Sequence, residues 1–474
     1  MKKNEEYIVE IIDNGFGGEG IAKIDGQVVF VPNSIKGEKV KIKILKVTSK
    51  VAYSRILEIL EKSEHRVQSN CNTYEKCGGC SLRHMDYDYT INMKKIAVEN
   101  TLKKALGREV NVDEVIPMET PYFYRNKLQY PVGVDKNGEI SMGVFAERSH
   151  RIIPTKECMI QNQLAQKIAN DILEFAKENG ISGYNEENFS GILRYIVIRV
   201  GVKTDEVMVT LVVNDFDIPN EKKMIDFLTK KYPEIKNVVK NLNDKNTNVI
   251  LGKKNQVIFG RGYITDILLG KKFKISNMSF YQVNPVQTEK LYSKAIDYAN
   301  LSGEETVFDL YCGIGTIGIC SSDKVGKLFG IETIPEAIQD ANENAKINGI
   351  KNSEFFVGDV ENALPEFIKQ RNIKPDVVFV DPPRKGCDKT ALETLMEIKP
   401  NKIVYVSCNP ATLGRDLKVL EEVYEVKKMA ICDMFPWTYH VECVAVMQLK
   451  FIPNAGHINS ESGYDTFEEN CKNK

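Results

Sequence analysis

Cys408 is the residue whose type and position most clearly suggest chemistry. It closes the apolar run Val404–Cys408, which reads as a buried strand, and it is followed by Asn409 and Pro410. A thiolate is a strong nucleophile and a thiol is not, so a reactive cysteine must be deprotonated before it attacks. A buried, inert cysteine at a strand end is the alternative. The residues predicted at the same sheet edge favour a catalytic cysteine.

One reaction that suits such a thiolate is methylation of a uracil ring at C5. Addition of the thiolate to C6 turns the ring into an enolate, and its C5 can then take a methyl group from a sulfonium. A base must remove the C5 proton so that the thiolate can leave. Glu442, at the start of the last predicted strand, is the candidate base because a carboxylate shielded from water has a raised pKa. His440 is the rival base, and a solvated glutamate is the alternative without function.

A glycine-containing loop at 308–316 predicts a site for a nucleoside cofactor. Gly313 and the glycine two positions later join a strand to a helix and let the backbone approach a ligand closely. Glu332 ends the next strand, where a carboxylate can accept hydrogen bonds from ribose hydroxyls, and Asp359 ends the third, within reach of an adenine amino group. Gly318 leaves a dinucleotide site open on glycine spacing alone, but the later motifs argue against one.

Two further segments extend this predicted edge. Asp381 begins Asp-Pro-Pro-Arg-Lys-Gly after the fourth strand and can present a carboxylate to a planar base. Amino-methyltransferases use similar motifs, so this one does not by itself identify the target atom. Before the sheet region, Phe280 could stack on an unstacked base and Gln282 could hydrogen-bond the cofactor or the substrate. A turn with a core aromatic residue is the alternative for this segment.

A cysteine cluster precedes these motifs. Three cysteines lie close together in the sequence and a fourth lies far downstream: Cys71, Cys77, Cys80 and Cys158. Three close thiolates and a distant fourth can hold a 4Fe–4S cluster. Zinc also accepts four thiolates, but the spacing differs from paired C-x2-C zinc sites. We therefore predict an iron–sulfur cluster with a structural or RNA-positioning role, because uracil methylation by this route moves no electrons through a cluster.

The elements that position these residues can be read from hydrophobic periodicity. From about residue 303, short apolar runs alternate with helical segments, which predicts a parallel sheet with helices on both faces. The last strands, near 429–431 and 441–449, are predicted to form an antiparallel hairpin at one edge of this sheet. Residues 1–66 read as a small all-β module in which Lys39, Lys41 and Lys43 share one face. That basic face suits a phosphate backbone, although a solvated strand face is equally consistent with it.

Composition limits the class of protein. Of the chain's residues, 42% are apolar and 27% are charged, which is ordinary for a globular protein. Its length of 474 residues is too great for a single ordinary domain. The net charge of −1 weakly disfavours a non-specific nucleic-acid coat protein. No apolar run approaches the length of a membrane span, and the N-terminus lacks the apolar core of a signal peptide. We expect a cytoplasmic protein with no membrane association, in which the eleven cysteines form no disulfides.

Taken together, the motifs resemble the bacterial RNA uracil-C5 methyltransferase family, especially its iron–sulfur branch that acts on 23S ribosomal RNA. The resemblance covers almost the whole chain up to Leu449. It implies an α/β protein with an N-terminal OB-like β-barrel, called a TRAM domain, at 1–62. A central α+β domain with the iron–sulfur cluster and an RNA-binding insert would follow at 63–300. A Rossmann-like class I methyltransferase domain at 301–452 and a flexible tail at 453–474 would complete the chain.

The resemblance also implies roles for individual residues. Cys408 is the expected nucleophile and Glu442 the expected base. Positions expected to contact the cofactor S-adenosyl-L-methionine are Gln282, Tyr311, Gly313, Thr316, Glu332, Asp359 and Asp381. Thr316 stands where some relatives have Asn, and it keeps a hydroxyl there. Phe280, Arg125 and Lys127 are expected substrate contacts, the last two because they lie in a Tyr-Arg-Asn-Lys stretch that matches the family.

Three hypotheses for the function therefore compete. A methyltransferase acting on a uridine of 23S rRNA is favoured by the TRAM domain and the cysteine cluster, which tRNA-acting relatives often lack. A tRNA uridine-C5 methyltransferase is the second hypothesis. A non-catalytic RNA-binding iron–sulfur protein is the third, and the joint presence of Cys408, Glu442 and the glycine loop argues against it. A radical mechanism would need an iron left open, whereas four cysteines fill all the iron positions. RNA is the expected partner, and no obligate protein partner is expected.

Overall fold

The structure is a computed structural model that describes residues 1–147 and 149–450. The tail predicted at 453–474 lies outside these residues. Within the described ranges, no helix combines the length and the apolar character needed to cross a lipid bilayer.

The N-terminal module is a six-stranded sheet of order β1-β5-β6-β4-β3-β2. Its strands are β1 (Glu6–Glu10), β2 (Asp13–Asn14), β3 (Gly20–Ile24), β4 (Gln27–Val31), β5 (Lys39–Val47) and β6 (Val51–Glu61). Along β5 the apolar residues at 40, 42 and 44 are fully buried and the intervening lysines face outward, as strand alternation requires. Glu38, just before β5, is buried and accepts hydrogen bonds from Arg66, which joins the module to the segment that follows.

The central region contains a seven-stranded sheet of order β10-β9-β8-β11-β12-β13-β14. The elements from 87 to 260 are α1 (Tyr87–Leu106), β7 (Glu114–Ile116), β8 (Lys127–Val134), β9 (Ile140–Phe145), β10 (Ile152–Pro154), α2 (Gln163–Glu178), β11 (Leu193–Val200), β12 (Val207–Val213), α3 (Glu221–Lys231), β13 (Ile235–Leu242) and β14 (Lys254–Gly260). Helices α2 and α3 cover one face of this sheet and share an apolar core with it.

The C-terminal region is built on an eight-stranded sheet covered by helices on both faces. A hairpin leads into it, and the remaining elements are β15 (Tyr263–Leu268), β16 (Lys271–Ser276), α4 (Pro285–Ala299), β17 (Thr306–Leu310), α5 (Thr316–Ser321), β18 (Lys327–Glu332), α6 (Pro335–Ile347), β19 (Ser353–Val357), α7 (Val360–Arg371), β20 (Val377–Val380), α8 (Lys389–Ile398), β21 (Lys402–Ser407), α9 (Pro410–Leu420), β22 (Tyr424–Cys432) and β23 (Glu442–Leu449).

The strand order of this large sheet determines where a ligand can bind. The order is β19-β18-β17-β20-β21-β23-β22-β7, and β17 through β21 are parallel. From β17 the chain moves outward to β18 and β19, then returns to the other side of β17 with β20 and β21. Open α/β sheets bind ligands in the crevice at the carboxyl ends of the strands where the order reverses in this way. That crevice lies here at the ends of β17 and β20.

The edge of the sheet differs from the sequence-based prediction. β22 and β23 are antiparallel neighbours, but β22 is not the edge strand, because β7 pairs with it in parallel. Helix α1, also from the N-terminal half of the chain, contributes Val98 and Leu102 to the apolar core on one face of this sheet. Strand β7 and helix α1 both precede residue 300. The large sheet and the helices that cover it therefore include residues that were predicted to belong to the central domain.

Candidate active site

The glycine loop after β17 has an unusual backbone. Tyr311, Gly313 and Gly315 have φ angles of 62°, 55° and 81°, which lie in the left-handed region. Such a conformation is uncommon for a residue with a side chain, and strained residues of this kind cluster at functional sites. A Cβ atom at Gly313 would meet nothing within 4 Å, so the loop borders open space at that position.

Glu332 lies beside this loop at the end of β18. One of its carboxylate oxygens accepts a hydrogen bond from the backbone N–H of Gly313 at 3.2 Å, and the other accepts from the N–H of Ile334 at 3.1 Å. The carboxylate is therefore held at the crevice, where the sequence predicted a contact to ribose hydroxyls. Asp359 is placed differently from a strand-end residue: it is exposed and is the N-cap of α7, accepting from the N–H of Glu361 at 3.4 Å.

Three residues on the other side of the loop form a hydrogen-bonded group. The Thr316 hydroxyl lies 3.4 Å from that of Tyr292, and Gln282 hydrogen-bonds the same tyrosine hydroxyl. Tyr292 is buried in α4. The Tyr311 hydroxyl, by contrast, donates to Glu361 at 3.3 Å on the far side of the loop. Hydrogen bonds thus bring Gln282 and Thr316 together and join Glu332 to the loop, whereas Tyr311 and Asp359 lie against the start of α7.

Cys408 and Glu442 lie next to each other on neighbouring antiparallel strands. The last pair in the register of β21 with β23 is Ser407 with Cys443; Cys408 follows the end of β21, Glu442 begins β23, and one further step of the register would place the two opposite each other. Directly opposed residues in such a pair have Cβ atoms about 5 Å apart. Cys408 is half-buried at the end of β21, whereas Glu442 is only 4% exposed. The sequence predicted both residues for one edge of the sheet, and the strand pairing places them side by side.

Burial and mutual repulsion set the proton affinities at this edge. Burial raises the pKa of Glu442 well above its usual value, and the nearby charge of Asp381 raises it further. Burial raises the pKa of Asp381 to about 7. The pKa of Cys408 is raised to about 11, first by burial and then by the charges of Glu442 and Asp381. Arg384 acts in the opposite direction, because its positive charge lowers the pKa of both Cys408 and Glu442.

The segment that carries Asp381 and Arg384 is attached to helix α9. Arg415 of α9 donates to the carbonyl oxygens of Lys385 and Cys387 at 2.9 and 3.0 Å. The side-chain amide of Asn409, which caps α9, donates to the carbonyl oxygen of Arg384 at 3.2 Å. Because Asn409 follows Cys408 directly, the segment and the thiol are held in a common frame.

A loop at 433–441 leads into Glu442 and is attached to distant parts of the chain. Lys94 of α1 donates to the Asp433 carboxylate at 2.6 Å, and both side chains are 2% exposed. Tyr87 donates to the other oxygen of the same carboxylate at 2.7 Å. Further contacts of the loop include Trp437 Nε1 to the carbonyl of Pro121, Tyr124 Oη to that of Pro436, Asn284 Nδ2 to that of Met434, and the N–H groups of Ser81 and Leu82 to that of Trp437.

The predicted substrate contacts lie on two segments that are hydrogen-bonded to each other. Phe280 is 72% exposed, on the segment between β16 and α4. The backbone N–H of Asn126 donates to the carbonyl of Val283 at 2.8 Å, which attaches the Arg125–Lys127 stretch to the same segment. Phe280 therefore presents an uncovered aromatic ring to solvent, as a base-stacking residue must.

The cysteine cluster is only partly assembled. In residues 1–147 and 149–450, no three or more His, Cys, Asp or Glu side chains are arranged to hold a metal ion. Burial raises the pKa of both Cys77 and Cys80, and charges on Cys71 and Cys158 raise it further, so the four predicted ligands share one neighbourhood. A backbone N–H, that of Gly79, donates to the Cys77 sulfur at 3.2 Å. Four thiols in one neighbourhood, one of them accepting an N–H···S bond, are donors of the type that iron and zinc bind.

Three residues of the site were not identified from the sequence. Arg384 was visible only as part of the Asp-Pro-Pro-Arg motif, and its positive charge lowers the pKa of Glu442 and of Cys408. Asp309 is buried at the end of β17, accepts from the N–H of Gly318 at 2.8 Å, and leaves its second oxygen without a partner. Lys94 gave no signal at all, because its partner Asp433 is far away in the sequence.

The fold and the site define the class of protein: a parallel sheet with a strained glycine loop and an acidic residue at the next strand end, as in nucleoside-cofactor methyltransferases. Residues 203–450 match the family described as tRNA (Uracil-5-)-methyltransferase, and residues 2–57 match the TRAM domain. The chain therefore belongs to the RNA uracil-C5 methyltransferase family, and it is an S-adenosyl-L-methionine-dependent RNA methyltransferase.

Individual relatives agree with this assignment. The chain is 46% identical to an uncharacterized RNA methyltransferase of Halalkalibacterium halodurans, over 95% of this chain and 98% of the relative. It is 47% identical to another of Clostridium acetobutylicum, over 94% and 98%. Among solved structures, it is similar to the tRNA (uracil-54, C5)-methyltransferase of Pyrococcus abyssi in complex with S-adenosyl-L-homocysteine. That similarity has a TM-score of 0.75 and 28% identity, and it covers 94% of this chain and all of the other.

Proposed function

We propose that this protein methylates C5 of a uridine in 23S rRNA through a covalent bond between Cys408 and C6 of the base. The observation that carries the proposal is the position of Cys408 beside Glu442 at the ligand-binding edge of the sheet. A nucleophile and a base must reach adjacent carbons of one uracil ring, and opposed residues of a strand pair are spaced for that task.

The reaction can be followed through the chain's own side chains. The Cys408 thiolate forms a bond to C6, and the electron pair of the C5–C6 double bond moves towards the O4 carbonyl. C5 then forms a bond to the methyl group of S-adenosyl-L-methionine while the bond between that methyl group and the sulfonium sulfur breaks. The leaving group is S-adenosyl-L-homocysteine. The Glu442 carboxylate takes the C5 proton, the double bond re-forms, and the thiolate is expelled. The positive charge of Arg384 favours both the thiolate and the carboxylate, which are the forms that react.

Glu442 suits the role of base better than His440. Burial and the charges of Arg384 and Lys94 lower the pKa of His440 to about 4, so the imidazole is neutral but weakly basic. Burial raises the pKa of Glu442, which makes its carboxylate a stronger base than an exposed glutamate. The carboxylate also lies directly opposite the nucleophile.

Two variants test this mechanism. Cys408→Ala should abolish methyl transfer and leave S-adenosyl-L-homocysteine affinity near normal. Glu442→Gln should permit addition and methylation but prevent release, so that a covalent protein–RNA adduct accumulates on a denaturing gel. Cys320→Ala, which removes another half-buried thiol, is the matched control and should retain activity. Full turnover by Cys408→Ala, or the absence of any adduct with Glu442→Gln, would overturn the assigned roles.

Two RNAs compete as the substrate. The TRAM domain and the cysteine cluster support 23S rRNA. The 28% identical relative from Pyrococcus abyssi is a tRNA methyltransferase, which supports tRNA as the second candidate. Mass-spectrometric mapping of 5-methyluridine in cells with and without this chain decides between them. Loss of the modification from tRNA with 23S rRNA unchanged would replace the first candidate by the second.

We further propose that Cys71, Cys77, Cys80 and Cys158 hold a 4Fe–4S cluster. Such a cluster would supply a rigid cross-link between two distant chain segments, and the methylation steps need no electron from it. The N–H groups of Ser81 and Leu82, just after Cys80, donate to the carbonyl of Trp437 in the loop that leads to Glu442. Anaerobic purification followed by iron, sulfide and zinc analysis tests the assignment, and stoichiometric zinc without iron would overturn it.

A further inference from the structure

Two positive side chains face each other across neighbouring strands of the central sheet. Lys127 begins β8, Arg199 lies near the end of β11, and the register pairs them directly. Their strand neighbours Leu128 and Ile198 belong to the apolar core under α2 and α3. Because successive strand residues point to opposite faces, Lys127 and Arg199 point away from that core. Like charges placed directly opposite each other destabilise a strand pair.

No acidic side chain in the described parts of the chain balances this pair. Arg199 is 3% exposed. One of its guanidinium nitrogens donates to the carbonyl of Ser279 at 2.9 Å, and another, Nη1, is buried without any partner. Burial lowers the pKa of Lys127, and the positive charges of Arg199 and Arg125 lower it further, to about 7. A buried cation without a partner is costly unless a ligand neutralises it.

Arg125 borders the pair but has a second neighbour. Its Nε atom is buried without a partner, and its positive charge acts on the neighbouring Cys158, whose pKa is raised overall by burial. Thiolates in a cluster that includes Cys158 would therefore neutralise the positive charge of Arg125. They do not account for Lys127 or Arg199, on which no cysteine acts.

The unbalanced pair lies directly behind the segment that carries Phe280. Arg199 bonds the carbonyl of Ser279, the residue just before Phe280. Asn126, next to Lys127, donates its side-chain amide to the carbonyl of Gln282 at 3.1 Å. An anion bound by Lys127 and Arg199 would thus lie beside the segment that carries both Phe280 and Gln282.

We propose that Lys127 and Arg199 form a phosphate site for the RNA backbone, next to the nucleotide that stacks on Phe280. This inference rests on the proposed function only in taking RNA as the substrate. A phosphodiester has two charged oxygens that can accept from the free guanidinium N–H and from the ammonium group together. Phosphate contacts of this kind fix the register of a nucleic acid on a protein without reading its sequence. The site would hold the strand while the neighbouring base is turned towards Cys408.

The test compares Lys127→Met with the wild-type chain in binding to a short single-stranded RNA that contains one uridine. Lys127 is half-buried, so its replacement is safer for folding than that of Arg199. We expect RNA affinity to fall about tenfold, since a hydrogen bond to a charged group is lost. The slope of log affinity against log salt should decrease by about 0.7. Lys222→Met, which removes one exposed positive charge from α3, is the control and should change neither quantity.

A second arm locates the phosphate. One linkage at a time in the RNA is replaced by a neutral methylphosphonate. At one linkage beside the uridine, the replacement should weaken binding to the wild-type chain about tenfold but have little further effect on Lys127→Met. Such non-additivity identifies two groups that contact each other. Additive losses at every linkage, or unchanged RNA affinity in Lys127→Met, would overturn the proposal.

Two further measurements distinguish a phosphate site from a cofactor site. All binding is measured with S-adenosyl-L-homocysteine present, so no methyl transfer is needed and failure of the uridine chemistry leaves the result interpretable. Cofactor affinity should be equal in Lys127→Met and the wild-type chain; a selective loss of cofactor binding would instead identify the cofactor's carboxylate as the anion and overturn the proposal. In phosphate-free buffer the melting temperature of Lys127→Met should rise, because repulsion by Arg199 is removed. Inorganic phosphate should stabilise the wild-type chain more than the variant.

Discussion

Replacement of Lys94 by methionine should destabilise the protein more than replacement of any exposed lysine. The Lys94 ammonium lies 2.6 Å from an oxygen of Asp433, and both side chains are 2% exposed. Lys94 also donates to the carbonyl of Phe435 at 3.3 Å. Methionine fills a similar volume but leaves the Asp433 carboxylate buried with Tyr87 as its remaining side-chain donor.

The expected cost follows from this geometry. Removing one partner of a buried ion pair costs about 3–5 kcal/mol, because the other charge stays buried without compensation. A domain of about 150–250 residues loses roughly 2–4 °C of melting temperature per kcal/mol, so the melting temperature should fall by about 6–20 °C. Lys95→Met provides the control on the same helix: Lys95 pairs with Glu99 at 3.8 Å on the surface, and its loss should cost about 0.5 kcal/mol or less.

Thermal melts monitored by circular dichroism measure both variants, and a double variant tests the cause. In Lys94→Met/Asp433→Leu no charge remains buried, so most of the lost stability should return. The single variant should also accumulate covalent RNA adduct at temperatures where it is still folded, because the loop that leads to Glu442 is displaced. A melting temperature within about 2 °C of the wild-type value, or a double variant no more stable than the single one, would refute the reasoning.

Three other predictions concern the crevice and the substrate. Because the pKa of Glu442 is raised, its carboxylate is protonated at a higher pH than that of an exposed glutamate, and kcat/KM should rise with pH as the proton is lost. Arg384→Gln removes a charge that lowers this pKa and should move the rise to higher pH. An unchanged pH profile would contradict the electrostatic assignment. Gly318→Ala should lower stability by about 1–3 kcal/mol in a thermal melt, because its Cβ would lie 2.9 Å from the Asp309 carboxylate. Phe280→Ala should weaken binding of uridine-containing RNA by about 1–3 kcal/mol while cofactor affinity stays constant in a titration; equal loss of both would argue against stacking.

Local patterns in the sequence were enough to predict the large parallel sheet and its glycine loop. Short apolar runs that alternate with helical segments indicate a parallel sheet covered by helices. The fold class and the S-adenosyl-L-methionine cofactor are confirmed by the family match and by the similar solved structure. The placement of Cys408 and Glu442 could also be predicted, because both end or begin strands that must share an edge. Their chemical roles stay predictions until the variants are measured.

Other features depend on contacts between distant segments, which no local pattern encodes. β7 has only three residues and no alternation, so nothing in its sequence indicates that it pairs with β22. Lys94 looks like a surface residue of α1 until the loop at 433–441 covers it. The Lys127–Arg199 pair arises only when β8 and β11 are placed in register. The edge of the sheet, the support of the base and the unbalanced cations could therefore be found only in the structure.

The attachment of the 433–441 loop has a consequence for the order of events during biosynthesis. Its contacts join residues near the end of the chain to α1, to the stretch after Cys80 and to Asn284, all of which leave the ribosome much earlier. Contacts between residues so far apart form slowly, because a long loop must close before any of them contributes energy. The loop that precedes the base therefore reaches its final position only after the N-terminal and C-terminal parts have docked. A partly folded chain can acquire a crevice for its cofactor before it can complete a reaction, which delays catalysis until folding is finished.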